Sequence, residues 1–114
     1  MTALPTNVAP HAGLRVDSLL TASAAAPGGD DCATGVGVYL LVRNTGGVAR
    51  TLTLATPQVV DGDLAVADRP FTIAATTGIH VIPVPDLYRN PSTGRAAITY
   101  DDATGLQIIA VRVP

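Results

Sequence analysis

Three pairs of carboxylates and one thiol are the groups of this chain that could do chemistry: Asp30-Asp31-Cys32, Asp61-Gly62-Asp63 and Asp101-Asp102. Close aspartates can share a proton or hold a cation, and a thiol beside a base can act as a nucleophile. Each aspartate pair, however, stands in a stretch of turn composition, where aspartate is favoured because its side chain accepts hydrogen bonds from nearby backbone amides. A calcium loop also needs a closing glutamate, and the chain contains no glutamate. The aspartates therefore read as turn residues.

The other reactive types are scattered. His11 and His80 belong to no HxH or HExxH pattern that would place two imidazoles on one metal, so both read as structural. Cys32 lies in no cysteine-protease signature, and an isolated cysteine in an apolar chain behaves as a small buried hydrophobe. Ser18, Ser23 and Ser92 lack the GxSxG elbow that exposes a hydroxyl on a strained turn. Gly28-Gly29 and Gly35-Val36-Gly37 lead into neither the lysine nor the helix start of a phosphate loop. Tyr39, Phe71, Tyr88 and Tyr100 are the only aromatics, too few for a base-stacking platform, and are assigned to core or corners. The expectation is a protein that is not an enzyme, with no cofactor and no metal.

The elements that would position these residues are strands. Val38 to Val42 is an unbroken apolar run, Asn44-Thr45-Gly46-Gly47 is turn chemistry, and Arg50 to Ala55 alternates, with Leu52 and Leu54 on one face. This stretch predicts a central β-hairpin whose first strand, apolar on both faces, lies mid-sheet and covered on both sides. Asp61-Gly62-Asp63 predicts a second hairpin between Gln58–Val60 and Leu64–Ala67. Phe71–Ala74, Ile79–Val84, Ala96–Tyr100 and Leu106–Val113 read as further strands, with Pro83 placing its strand at an edge and Pro85 to Asn90 forming a single helical turn or corner. Leu14–Leu20 reads as a short strand and Ala22–Ala26 as a helical turn stopped by Pro27, with the choice between strand and helix in this region open. About eight strands joined by closely spaced turns specify an all-β fold: a single β-sandwich, jelly-roll-like, or a small barrel. Residues 1–13 read as an extended N-terminal arm, with 14–114 as the sandwich domain.

Composition bounds the rest. A chain of 114 residues makes one domain able to bury a core without a staple. Charged residues are 14% of it and mean hydropathy is +0.36, yet no apolar run approaches the roughly 18 residues of a membrane helix, so a soluble protein with no membrane partner is expected. Net charge is −2 and the seven arginines are dispersed, which argues against nucleic acid as a partner. The single Cys32 allows no internal disulfide and the start of the chain has no signal-peptide pattern, so an intracellular origin is expected. Sparse surface charge suits a protein that stays assembled.

Four segments together carry a resemblance: YLLVRNTGG with its Asn-x-Gly-Gly turn, TPQVVDGDLAVADRPFTI, the corner VIPVPDLYRN, and the closing GRAAITYDDATGLQIIAVRV. From about Gly35 onward the chain resembles the small capsid decoration (cement) proteins encoded beside the major capsid protein in tailed bacteriophages, especially those of GC-rich actinobacteria. The region Leu14 to Cys32 departs most from that pattern. The resemblance implies a jelly-roll-like structural protein on the capsid exterior of the virion, made in the host bacterial cytoplasm. Its partner would be the major capsid protein, and it would sit as a homotrimer at local threefold positions. Two alternatives remain: another small virion ring protein of neck, tail tube or tail terminator, and a ligand-binding jelly-roll domain. On the decoration reading, Leu4, Pro5, Val8 and Pro10 are the partner-binding candidates, as an extended strap laid on the capsid or a neighbouring subunit, and removal of residues 1–12 is expected to leave the domain folded.

Overall fold

Alternation of buried and exposed side chains sets where each strand lies in the structure, a computed structural model that describes residues 2–57, 59–60, 62, 64–65, 67–76 and 78–113. Among these, the chain forms β1 (Thr2–Ala3), β2 (Thr6–Val8), helix α1 (Asp17–Thr21), β3 (Asp30–Cys32), β4 (Val38–Asn44), β5 (Arg50–Leu54), β6 (Val59–Val60), β7 (Leu64–Ala65), β8 (Arg69–Ile73), β9 (Ile79–Pro83), a 3-10 turn at Asp86–Tyr88, β10 (Ala96–Tyr100) and β11 (Leu106–Arg112). One sheet runs β1-β3-β10-β5-β8 and the other β2-β11-β4-β9, while β6 and β7 pair as a separate ribbon. Leu40, Val42, Ile82 and Ile108 of the second sheet meet Leu52, Leu54, Ile73 and Ile98 of the first in one buried cluster. This is the expected all-β sandwich, held by two apolar faces that each strand builds from every second residue.

The expected hairpin from Val38 to Ala55 is not a hairpin. β4 pairs with β11 and β9, whereas β5 pairs with β10 and β8, so the turn after Asn44 carries the chain from one sheet to the other. Asn44 is fully buried, and its side-chain amide accounts for the change of partner. Nδ2 donates to the carbonyls of Val48 (2.8 Å) and Ile73 (3.3 Å), and Oδ1 accepts from the N–H of Gly46 (2.9 Å). Two backbone groups of the turn, Val48 C=O and Gly46 N–H, and the Ile73 carbonyl of β8 are thus held by one side chain, and the chain arches over the end of the core.

The arches nest. The β4–β5 arm lies between the β8–β9 arm on one side and the β10–β11 arm on the other, and β3 borders β10 in turn. Beside β11 run both β2 and the extended Ser23–Ala25 segment, which bridges at Ala24–Gln107 and bonds through Ala25 N–H to the Leu106 carbonyl (3.0 Å). Arms wound around one another in this way make a jelly roll, with neither sheet closed into a barrel.

The β4 run is covered on both sides, as its composition predicts. Its outer Leu41 joins Ile109 and Val111 of β11 in a second cluster beneath Leu20 of α1. In the region before β3, where the sequence leaves strand and helix open, α1 spans Asp17–Thr21 and Ser23–Ala25 is extended beside β11. Val16, Leu19 and Leu20 share one helical face on the sheet, and packing rather than propensity sustains a helix of five residues. The β6–β7 hairpin is present, with Val60 opposite Leu64 and Gly62 at φ 80, whereas Asp61 and Asp63 lie outside the described residues. β9 is an edge strand ending at Pro83, and the corner at Asp86–Tyr88 is a single 3-10 turn. No helix of the described residues is long and apolar enough to cross a membrane.

The N-terminal segment is extended, and it is woven into both sheets. β1 runs parallel to β3 and β2 parallel to β11. Between them Leu4 is buried in the core, its N–H bonded to the Asp31 carbonyl (2.8 Å) and its carbonyl to Arg95 Nη2 (2.9 Å). Asn7 Nδ2 adds a bond to the Ala110 carbonyl (3.1 Å). Residues 2–8 therefore pack as part of the unit formed by 14–113, not as a separate arm. The open sheet edges supply the reason, because β3 and β11 each offer unpaired backbone groups that an extended proline-flanked segment can satisfy.

Two outcomes follow. Asn44→Ala leaves the Val48 and Ile73 carbonyls and the Gly46 N–H unpaired, each worth about 1–3 kcal/mol when buried, so the denaturation midpoint should drop sharply at unchanged m-value. Deleting residues 2–8 removes Leu4 from the core, a loss of about 2–5 kcal/mol by analogy with leucine truncation, and calorimetry should show a clearly lower Tm. Wild-type melting of the truncated chain would show that these residues do not belong to the cooperative unit.

Candidate functional site

β3 delivers the Asp30-Asp31-Cys32 group into a polar cluster at the N-terminal side of the sandwich. Strand alternation turns Asp30 and Cys32 inward and Asp31 outward. Asp30 is 1% exposed; its Oδ2 accepts from the Tyr100 hydroxyl (2.5 Å) and the Ala26 N–H (3.2 Å), and its Oδ1 is buried without a protein partner. Asp31 pairs with Arg95, whose guanidinium also reaches the carbonyls of Leu4 and Asp31. Burial pushes the Cys32 thiol up to about 12, against the opposing pull of Arg95. The Tyr100 hydroxyl is raised as well, first by burial and then by its hydrogen bond to the Asp30 carboxylate. A thiol kept protonated and closed to solvent is a poor nucleophile. The cluster acts as a staple that ties β3, β10 and the N-terminal segment together.

The remaining candidates are engaged locally. Asp101 Oδ1 accepts from the Thr51 N–H (2.9 Å), and Asp102 accepts from the Thr104 N–H (2.9 Å) and pairs with Arg50 at 3.4 Å. The Thr104 bonds are the main cause that holds the Asp102 carboxyl below its usual range. His80 Nε2 accepts from the Ala74 N–H (3.1 Å), His11 is exposed in the turn after β2, and Ser23 Oγ donates to the Ile108 carbonyl (2.7 Å). Among the described residues no three His, Cys, Asp or Glu side chains gather in a way that could hold a metal ion.

What the fold does gather is apolar surface at one end. Val113 N–H bonds to the Gly37 carbonyl (3.0 Å), Gly35 N–H to the Val84 carbonyl (3.0 Å), and Thr34 Oγ1 to Asp86 Oδ1 (2.8 Å). These bonds draw the end of β11, the start of β4 and the 3-10 turn to one pole, where β2 also ends with Val8 opposite Arg112. Val8, Val36, Leu87 and Val113 are all exposed there, Val36 completely at 101%. Gly35 (φ 131) and Gly37 (φ 80) make the tight turn that presents Val36, and a Cβ on Gly37 would meet the Val113 carbonyl oxygen at 3.0 Å. Turn tips are ordinarily polar, and here a valine stands fully exposed between two glycines.

Of the residues singled out as partner-binding, Val8 belongs to this pole. Pro10 is exposed before the following turn, and Leu4 is buried in the core. Pro5, with Leu4, Leu19 and Ile109, lines a separate cleft of about 230 Å³ beside α1. Val36 and Val113 were missed by reading the chain for chemistry, although an apolar residue inside Gly-Val-Gly is a legible signal. No protein-family model matches the chain, and comparisons with curated proteins and with solved structures give no significant match.

The cluster predicts alkaline sensitivity. Cys32 loses its proton near 9.0 when unfolded and near 12 when folded, so between these values the folded state binds more protons and stability falls as pH rises. The raised Tyr100 adds a decline of the same sign. Tm measured from pH 8 to pH 11 should decrease, and Cys32→Ala should flatten part of that decrease.

Proposed function

We propose that this protein decorates and stabilises the capsid shell of a tailed bacteriophage by binding across major capsid subunits through its apolar pole. The pole is the observation that carries the reading: Val8, Val36, Leu87 and Val113 are each exposed at one end of a sandwich whose Asp30, Cys32 and Tyr100 are turned into the polar cluster. A modest apolar contact is enough when many copies bind one particle and each bridges neighbours that would otherwise separate. Few charges and a rigid sandwich suit that task, since little ordering entropy is lost on docking. On this reading the protein is a structural component of the virion exterior with no catalytic role, and it sits as a homotrimer whose closed ring uses two different patches of each subunit.

The test is addition of purified protein to undecorated expanded shells assembled from the major capsid protein encoded beside it, with occupancy read by cryo-EM. Wild-type protein should occupy ordered surface positions in threes. Val36→Asp and Val113→Asp should lower occupancy at limiting concentration by about tenfold or more with Tm unchanged, because both side chains are exposed. Undiminished occupancy of both variants would remove the pole from the contact, and failure of the wild-type protein to bind shells would overturn the decoration reading.

A further inference from the structure

Of the four strands that border the two sheets among the described residues, β9 offers the longest uncharged edge. β1 has two residues and β2 three, and β8 carries Arg69 and Pro70, all devices that discourage an added strand. β9 has five residues, IHVIP, with no acid, lysine or arginine, and it is paired only on the β4 side. Its outward side chains are apolar and in solvent: Ile79 is 58% exposed and Val81 63%.

The backbone parity of β9 completes the picture. Val84 N–H bonds to the Val38 carbonyl and Asn44 N–H to the Gly78 carbonyl, and the register pairs Leu40 with Ile82 and Val42 with His80. Hydrogen-bonded positions alternate along an antiparallel pair, so the even-numbered residues of β9 face β4. The N–H and C=O groups of Ile79 and Val81 and the C=O of Pro83 therefore point away from the sheet.

We propose that β9 pairs with β9 of a second copy, antiparallel about a twofold axis at Val81, joining two four-stranded sheets into one of eight strands. In the register that overlaps Ile79–Pro83 completely, the two Val81 residues exchange N–H···O bonds. Each Ile79 N–H then meets the Pro83 carbonyl of the other copy, so every outward donor finds an acceptor. Pro83 has no N–H to return to the Ile79 carbonyl of the other copy, so each end of the pair makes one bond where two are possible, and the ladder totals four. No charge opposes a like charge across the axis, and Val81 faces Val81 as a β-branched cross-strand pair. The contact is isologous, hence different in kind from a threefold ring, and it does not rest on the capsid reading. A five-residue strand pair buries only part of the roughly 800 Å² per partner of a standard interface, so association should depend on concentration within the micromolar to millimolar range.

Sedimentation velocity of the full chain over that range should show growth of a dimer species. Val81→Arg, which sets two guanidinium groups across the axis at an exposed site, should weaken it by about tenfold or more with Tm retained, while Val81→Thr should leave it intact. In hydrogen-exchange NMR the Ile79 and Val81 amides should slow as concentration rises. A wild-type chain that stays monomeric throughout overturns the proposal and leaves the edge to a strand of another protein. An oligomer whose mass is indifferent to Val81→Arg, or whose Ile79 and Val81 amides exchange at the monomer rate, overturns it as well.

Discussion

The buried amide of Asn44 is the constraint on which the rest of this architecture depends. A turn of asparagine and two glycines can close either a hairpin or an arch, and the two choices lead to different folds. With its side chain spent on Val48, Gly46 and Ile73, Asn44 leaves β4 free to pair with β11 and β9 while β5 leaves for the opposite sheet. One hydrogen-bonding side chain at a corner thereby fixes which faces meet, and Leu40 and Val42 come to lie against Leu52 and Leu54 instead of beside them. A half-satisfied amide in that position would be worse than an apolar residue, which is why its full set of bonds matters.

A second polar assembly does comparable work at the other side of the core. Asp30, Tyr100, Asp31 and Arg95 connect β3, β10 and the segment around Leu4, so a short N-terminal stretch becomes part of the cooperative unit. Buried ion pairs and carboxylates add little net stability compared with apolar packing, but removal of one partner leaves the other stranded. The cluster is therefore better understood as specifying where the N-terminal segment docks than as a source of folding energy. Its chemistry is consumed in that role.

The periodic parts of this fold were legible from the chain, and the parts set by long-range partners were not. Leu52 and Leu54 alternate with threonines because β5 has one core face, and Pro83 marks an edge because proline lacks an N–H. The two-sided apolar run of β4 announces cover on both faces, although nothing local says that α1 supplies it. Sequence misreads the Asn44 turn because hairpin and arch share the same residue types and differ only in partners more than 20 residues away, such as Ile73 at |i−j| = 29. It leaves Leu14–Leu20 undecided because a five-residue helix draws its stability from the sheet beneath, which propensity does not register. Likewise Leu4 and Val8 look equivalent along the chain; only the crossing between sheets sends one to the core and the other to the surface.

The surface left over divides into two kinds that follow different physics. At the pole formed by Val36 and Val113 the unsatisfied quantity is apolar area, which is non-directional and tolerates any complementary surface. Along β9 it is a row of backbone donors and acceptors, which accepts only an extended strand in register. An apolar surface tolerates some play in what covers it, whereas an edge strand demands an extended partner of fixed geometry. Because β9 borders one side of the sheet and the Val36 turn lies at its end, engagement of one does not spend the groups of the other. The two kinds of surface lie on different stretches of the chain, the pole on Val8, Val36, Leu87 and Val113 and the edge on Ile79–Pro83, so each is specified by a different chemical property.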